Sequence, residues 1–184
     1  STGNLTAASI TSGETLVYGY DGPLETSINW NGTVSGTVGL GYNNNFWITS
    51  ESINGANIVA FAYDNDGLPT KAGTLTLNHD SQNGLLTGTT LGSAADTYAY
   101  NTYGELTGYT ALYSGAPLNS VVYTRDADGR VSAKTETLGG KTNTYAYSYD
   151  PAGRLIGVHK NGTGISTYTY DTNSNRMTAL TSSG

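Results

Sequence analysis

The sequence predicts an all-β protein built from antiparallel hairpins, and three observations carry that expectation. The stretch Tyr147-Ser148-Tyr149-Asp150-Pro151-Ala152-Gly153-Arg154-Leu155 recurs in reduced form along almost the whole chain. Asn-Gly and Gly-Gly pairs stand between alternating apolar residues, which is the strongest short-range hairpin signal. Finally, 25 glycines, frequent threonine and the lack of an extended i, i+3, i+4, i+7 apolar pattern leave almost no room for helix.

The recurring unit explains itself residue by residue. Alternation along a strand puts Tyr147 and Tyr149 on one face. Asp150 and Gly153 then bracket a type I turn closed by a left-handed residue, and Pro151 presets φ for its second position. Arg154 and Leu155 open the returning strand. Anchoring on the Asp position gives Tyr18-Gly19-Tyr20-Asp21, Leu40-Gly41-Tyr42-Asn43, Phe61-Ala62-Tyr63-Asp64, Leu77-Asn78-His79-Asp80, Tyr98-Ala99-Tyr100-Asn101, Tyr123-Thr124-Arg125-Asp126 and Tyr168-Thr169-Tyr170-Asp171. With the Asp150 copy there are eight anchors, separated by 22, 21, 16, 21, 25, 24 and 21 residues. A period of about 21 residues fits two strands of ~5 to 6 residues, one turn and one connection.

Taken in order, residues 1–16 are small and polar and are expected to form an irregular segment with one weak strand at most. Residues 17–177 form the repeat domain. Its first part carries Trp30 and Trp47 and bends at Asn31-Gly32 and Asn54-Gly55. The middle part has Asn83-Gly84 and a longer connection at Ser114-Gly115-Ala116-Pro117. The last part bends at Gly139-Gly140 and Asn161-Gly162. Residues 178–184 are expected to be an unanchored tail. The whole should amount to about 14 to 16 strands.

Composition narrows the function. The chain has no Cys, so no disulfide staples it. A net charge of -6 argues against a nucleic-acid or anionic-membrane surface, and no apolar run approaches the ~20 residues of a membrane span. Aliphatic residues are scarce, and 15 tyrosines must replace their volume. Each buried aromatic removes ~150 to 250 Å² from water, so a tyrosine ladder on a sheet is expected in place of a thick aliphatic centre.

These residues resemble the Rhs or YD-repeat family, which includes bacterial Rhs elements, the cage-forming subunits of Tc toxins and teneurins. The resemblance covers roughly residues 17–177. It implies hairpins wound into a long curved or spiralling sheet, a fragment of a β-shell. It also implies a secreted or cell-surface setting, with a shell that encloses a toxin or effector cargo or presents a surface to another cell. The structural repeat positions are then Tyr18, Tyr20, Asp21, Tyr63, Asp64, Gly67, Tyr98, Tyr100, Gly104, Tyr123, Asp126, Gly129, Arg130, Tyr147, Tyr149, Asp150, Gly153, Arg154, Tyr168, Tyr170 and Asp171. Three copies depart from the pattern: Asp21 has a shortened turn, and Phe46 and Ser174 stand where Gly is expected. Starting at Ser1 within a few residues of repeat material, the chain is expected to be a piece of a longer one, whose partners are the rest of the shell and its cargo. A strip with two unpaired edges is also expected to self-associate.

No enzyme, cofactor or metal is expected. Asp64-Asn65-Asp66-Gly67 and Asp126-Ala127-Asp128-Gly129 begin like calcium loops, but position 12 is Leu75 or Thr137, which cannot supply the bidentate Glu. The first Asp of each is expected to cap its own turn. His79 stands at a tyrosine position, and His159 is expected on the surface. No Ser is framed as Gly-x-Ser-x-Gly and no phosphate loop is present. Asp150-Pro151-Ala152-Gly153-Arg154 only superficially resembles the self-cleavage segment that ends some family shells. Arg130, Arg154 and Arg176 are expected to pair with carboxylates. The alternative function is an adhesin-like module, with Trp30 and Trp47, and Tyr103, Tyr109 and Tyr113 outside the regular positions, stacking on glycan rings.

Overall fold

The computed structural model describes residues 3–11 and 13–181, and within them the protein is all strand and turn. The chain divides into two compact units, residues 1–79 and 80–184. The first is a meander of β1 (Ala7–Ser9), β2 (Thr15–Asp21), β3 (Leu24–Asn31), β4 (Gly36–Tyr42), β5 (Ile48–Ile53), β6 (Ala56–Tyr63), β7 (Pro69–Ala72) and β8 (Leu75–His79). The second is a meander of β9 (Leu86–Leu91), β10 (Ala94–Tyr100), β11 (Leu106–Tyr113), β12 (Ala116–Arg125), β13 (Val131–Leu138), β14 (Lys141–Tyr149), β15 (Leu155–Lys160), β16 (Thr163–Tyr170) and β17 (Arg176–Thr181). Inside each unit every strand pairs antiparallel with its sequence neighbours. Strands contact only these neighbours, so each unit is a single layer.

Seventeen strands are found among the described residues, slightly more than expected. The 16-residue interval between Asp64 and Asp80 still holds two strands, β7 and β8, by shortening them to four and five residues. In the N-terminal segment β1 pairs with β2. At the C-terminal end β17 carries pairing to Thr181, opposite Ser166, past the expected boundary at 177. The rest of the expected tail, 182–184, lies outside the described residues.

No side chain is fully buried among the described residues, whether apolar or polar. The tyrosines instead alternate with exposed neighbours: Tyr145, Tyr147 and Tyr149 on β14 are half-buried while Ala146 and Ser148 are exposed. Tyr168 and Tyr170 on β16 follow the same rule. Tyr98 meets Tyr109 across the β10–β11 pair, with ring centroids 5.3 Å apart and tilted by 50°. This is the thin tyrosine-faced sheet that the composition requires.

Turns fall into two rows, one at each end of the strands. On the Asn-Gly side, Asn54 and Gly55 have φ of 53° and 69°, and Asn161 and Gly162 have 50° and 83°, the left-handed pair of a two-residue hairpin. Ser114-Gly115 is another such turn, closed by the Tyr113–Ala116 pair, in place of the longer connection expected there. Asn31-Gly32 is the reverse case. Asn31 stays in β3 opposite Thr15 of β2, but the closing pair with β4 is Trp30–Gly36, so five residues, 31–35, separate the paired positions. Asn83-Gly84 makes no hairpin of its own: Gly84 donates its N–H to the Asp80 carbonyl inside the anchor turn.

Candidate functional site

The anchor turns at the other end of the strands share one construction. The Asp150 N–H donates to the Arg154 carbonyl and the Gly153 N–H to the Asp150 carbonyl, at 3.0 and 2.9 Å. Asp150 Oδ1 accepts the N–H groups of Ala152 and Arg154. Asp126 Oδ1 holds Asp128 and Arg130 in the same way, Asp64 holds Asp66 and Leu68, and Asp171 holds Asn173 and Asn175. Asn43 and Asn101 do the same with an amide oxygen. Gly67, Gly104, Gly129 and Gly153 are left-handed at the fourth position, with φ between 76° and 83°. Phe46 and Ser174 adopt φ of 63° and 65° there, so the two copies without Gly keep the turn. Asp80 spans one residue more, and Asp21 departs altogether: it ends β2 opposite Leu24 across the two-residue Gly22-Pro23 bend.

A second device ties each turn to the next. Directly before every anchor of a five-residue turn, Asn43 included, strand register slips by one residue, for example between Ser148 and Tyr149. The tyrosine at that position donates to a backbone carbonyl 14 to 18 residues upstream, which for Tyr149, Tyr170, Tyr100 and Tyr63 is the first of the preceding repeat's returning strand. Tyr149 Oη donates to the Val131 carbonyl at 2.7 Å, Tyr170 to Leu155 at 2.8 Å and Tyr100 to Leu86 at 2.9 Å. Tyr63 donates to Ile48 at 2.7 Å, Tyr42 to Glu25 at 2.6 Å and Tyr20 to Leu5 at 2.8 Å. In the Asp126 copy the residue is Arg125, whose Nη2 reaches the corresponding Leu106 carbonyl at 3.3 Å. In the Asp80 copy it is His79, half-buried, with no hydrogen-bond partner at Nδ1 among the described residues.

The residue after the turn glycine closes the lattice. Arg154 Nε bonds Asp150 Oδ2 at 2.7 Å and Arg130 Nε bonds Asp126 Oδ2 at 2.8 Å. Each guanidinium also lies over the tyrosine of the following repeat, Arg154 over Tyr170 at 4.7 Å and Arg130 over Tyr149 at 4.9 Å. Arg154 Nη1 further donates to the Asp171 carbonyl and Ser174 Oγ. Arg176 differs from its expected pairing: among the described residues it faces the Tyr168 ring, 5.9 Å away. It stands one position beyond the anchor-bonding site, which Asn175 occupies with an Nδ2 bond to Asp171 Oδ2.

These contacts set the carboxyl ionisation. The Arg154 backbone N–H, aided by its guanidinium, holds Asp150 below the usual carboxylate value. The Asn175 side-chain amide does the same for Asp171. For Asp126 burial pushes upward and is outweighed by hydrogen bonds from Arg130 and Asp128. Burial raises the phenols of Tyr20, Tyr98 and Tyr147.

The other candidates do not converge. Trp30, near the Asn-Gly end of β3, lies over Gly36, whereas Trp47, just before β5 at the anchor-turn end, packs on Tyr63 at 5.2 Å and over Gly67. They sit at opposite ends of the strands and make no common platform. Tyr18 and Tyr123 are half-buried on β2 and β12, and His159 is exposed on β15. Tyr103, in an anchor turn, is 87% exposed, and Tyr113, the last residue of β11 at the opposite strand end, is 58% exposed. No group of three or more His, Asp or Glu that would hold a metal occurs among the described residues. The carbonyl acceptors and the role of Arg125 were missed in the sequence. The signal was present, since seven of the eight positions before an anchor carry a long hydrogen-bond donor, Tyr or Arg, and the eighth carries His.

Comparison with known proteins returns to the same motif. The model of the teneurin YD-shell family matches residues 1–184. The crystal structure of TcdB2-TccC3-Cdc42 is similar over 92% of this chain and 10% of that one, at 13% identity and a TM-score of 0.48. A mutant Photorhabdus luminescens Tc holotoxin pore is similar over 91% of this chain and 12% of that one, at 13% identity and a TM-score of 0.44. A porin-like protein from Bacteroides uniformis is similar over 90% and 81% of the two chains, at 12% identity and a TM-score of 0.36. A comparison with curated proteins gives no match. Because the family model spans every residue of this Tyr-Asp repeat array, the chain belongs to the teneurin YD-shell family.

Proposed function

We propose that the chain is a length of shell wall, structural and not catalytic, in a secreted or cell-surface protein that encloses a toxin or effector cargo. One observation carries this reading: successive hairpins are stitched by tyrosine hydroxyls to the carbonyls of the hairpin before, in a sheet with no buried side chain among the described residues. Such a sheet is suited to being a thin barrier, because stability comes from neighbour-to-neighbour contacts and the array can be extended hairpin by hairpin. Membership in the YD-shell family supports the same role. Its partners are then the remainder of the shell and the cargo, and the isolated chain self-associates through open strand edges. Limited proteolysis of the full polypeptide carrying these repeats tests the proposal. A non-repeat segment should resist digestion and become cleavable when Tyr149 and Tyr170 are changed to Ala; a segment cut equally fast in both proteins rejects it.

A further inference from the structure

Four Asn-Gly pairs stand in the chain, beginning at Asn31, Asn54, Asn83 and Asn161, and the fold restrains three of them in a way it does not restrain the fourth. Asn before Gly carries a latent reaction. The glycine nitrogen can attack the asparagine side-chain carbonyl carbon, because no Cβ on the glycine hinders the approach. In a folded chain the attack requires that the asparagine side chain be able to swing toward that nitrogen.

Three of the pairs are tied down. Asn54 Oδ1 accepts the Thr37 N–H and the Asn54 N–H donates to the Thr37 carbonyl, both at 2.8 Å. Asn161 is clamped on Thr144 by the same two bonds at 2.8 Å, and its Nδ2 also donates to Asn143 Oδ1. Asn83 Oδ1 accepts the Leu85 N–H, and the attacking group itself, the Gly84 N–H, is donated to the Asp80 carbonyl at 2.8 Å.

Asn31 lacks these restraints. Its side chain makes one long bond, from Nδ2 to Thr15 Oγ1 at 3.4 Å, through the nitrogen that the reaction expels. The Gly32 N–H has no hydrogen-bond acceptor among the described residues. Asn31 also opens the run of five exposed residues before the Trp30–Gly36 pair closes, where Asn54 and Asn161 sit in two-residue turns. Gly32 is fixed at its position by the fold, since a Cβ there would come 2.8 Å from Glu14 Cγ.

From this contrast we infer that Asn31-Gly32 is a site of self-modification by deamidation. The Gly32 nitrogen gives up its proton and bonds Asn31 Cγ, the Cγ–Nδ2 bond breaks, and Nδ2 leaves as ammonia with that proton. Water then opens the cyclic imide. Opening at Cγ yields aspartate, and opening at the backbone carbonyl yields isoaspartate, whose main chain runs through the former side chain. Either product places a new carboxylate on the apolar cavity that Asn31 lines together with Glu14, Leu16 and Trp30.

Peptide mapping by mass spectrometry of the intact folded chain, sampled during incubation at pH 8, tests this. Conversion at Asn31 should run about tenfold or more faster than at Asn54, Asn83 or Asn161, the factor for releasing one or two hydrogen bonds before attack. Isoaspartate at that position should be labelled by an isoaspartyl methyltransferase. In urea, with every clamp released, the four sites should convert at similar rates. Asn31→Ser should remove the first acidic species from the ion-exchange profile. No conversion at Asn31 in the folded chain, earlier conversion at any of the other three, or a lead for Asn31 that persists undiminished in urea overturns the assignment.

Discussion

Tyr149 and Arg154 show how much one side chain does in a sheet this thin. The Tyr149 hydroxyl bonds a carbonyl 18 residues upstream, and the Arg154 guanidinium joins its own turn to Asp171, Ser174 and Tyr170. Arg154 does this with a planar fork that Lys cannot reproduce. Replacing it with Lys should therefore lower stability by roughly 0.5–1.5 kcal/mol, the worth of the hydrogen bonds that cannot be remade, read from the urea midpoint. The donors were legible in the sequence, since Tyr or Arg precedes most anchors. Their acceptors were not, because a carbonyl exists at every residue and only the one-residue slip in register selects which of them faces the phenol.

At the scale of the element, the anchor turn is a local object and was correspondingly readable. Asp at the first position and Gly at the fourth specify it without any tertiary contact. Gly153 has φ of 80°, and a Cβ there would meet nothing closer than Arg130 Nη1 at 3.6 Å. Gly153→Ala should then cost about 1–2 kcal/mol through backbone conformation and not through a clash, measured by chemical denaturation. Phe46 and Ser174 explain what was not readable: a turn held by Asx and backbone bonds on both sides can impose a left-handed φ on residues that disfavour it. Asn83-Gly84 misleads for a related reason, as Asp80 captures the segment first.

The same turns make the element sensitive to acid. Asp126, Asp150 and Asp171 are all lowered from 3.8, so the folded state favours their ionised forms. Each contributes stability that is fully present above that ordinary value and is lost as pH falls through the lower folded value. Asp150→Asn keeps an oxygen for the turn N–H groups, as Asn43 and Asn101 do, but removes the titration. The variant's urea midpoint should be lower than that of the parent at pH 6 and should change less between pH 4 and pH 2. An unchanged pH profile would mean that the Asp150 bonds do not favour the ionised form.

On the scale of the whole molecule, each unit is a chain of hairpins in which a strand meets only its neighbours. Scarce aliphatic residues and 15 tyrosines made that thinness legible beforehand. The division after His79 was not expected, although it falls at the end of the one short interval, Asp64 to Asp80, and at the one anchor preceded by His. With no buried side chain among the described residues, the hydroxyl stitches between repeats have to carry a measurable share of the stability.

Urea denaturation of the intact chain against the triple variant Tyr100→Phe, Tyr149→Phe and Tyr170→Phe tests this most directly. Each change removes one oxygen and leaves the ring, and the three hydroxyls bond three different carbonyls. The account predicts a loss of roughly 0.5–1.5 kcal/mol per hydroxyl, with Tyr103→Phe and Tyr113→Phe leaving the midpoint where it was. A triple variant that unfolds at the same urea concentration as the parent would contradict it.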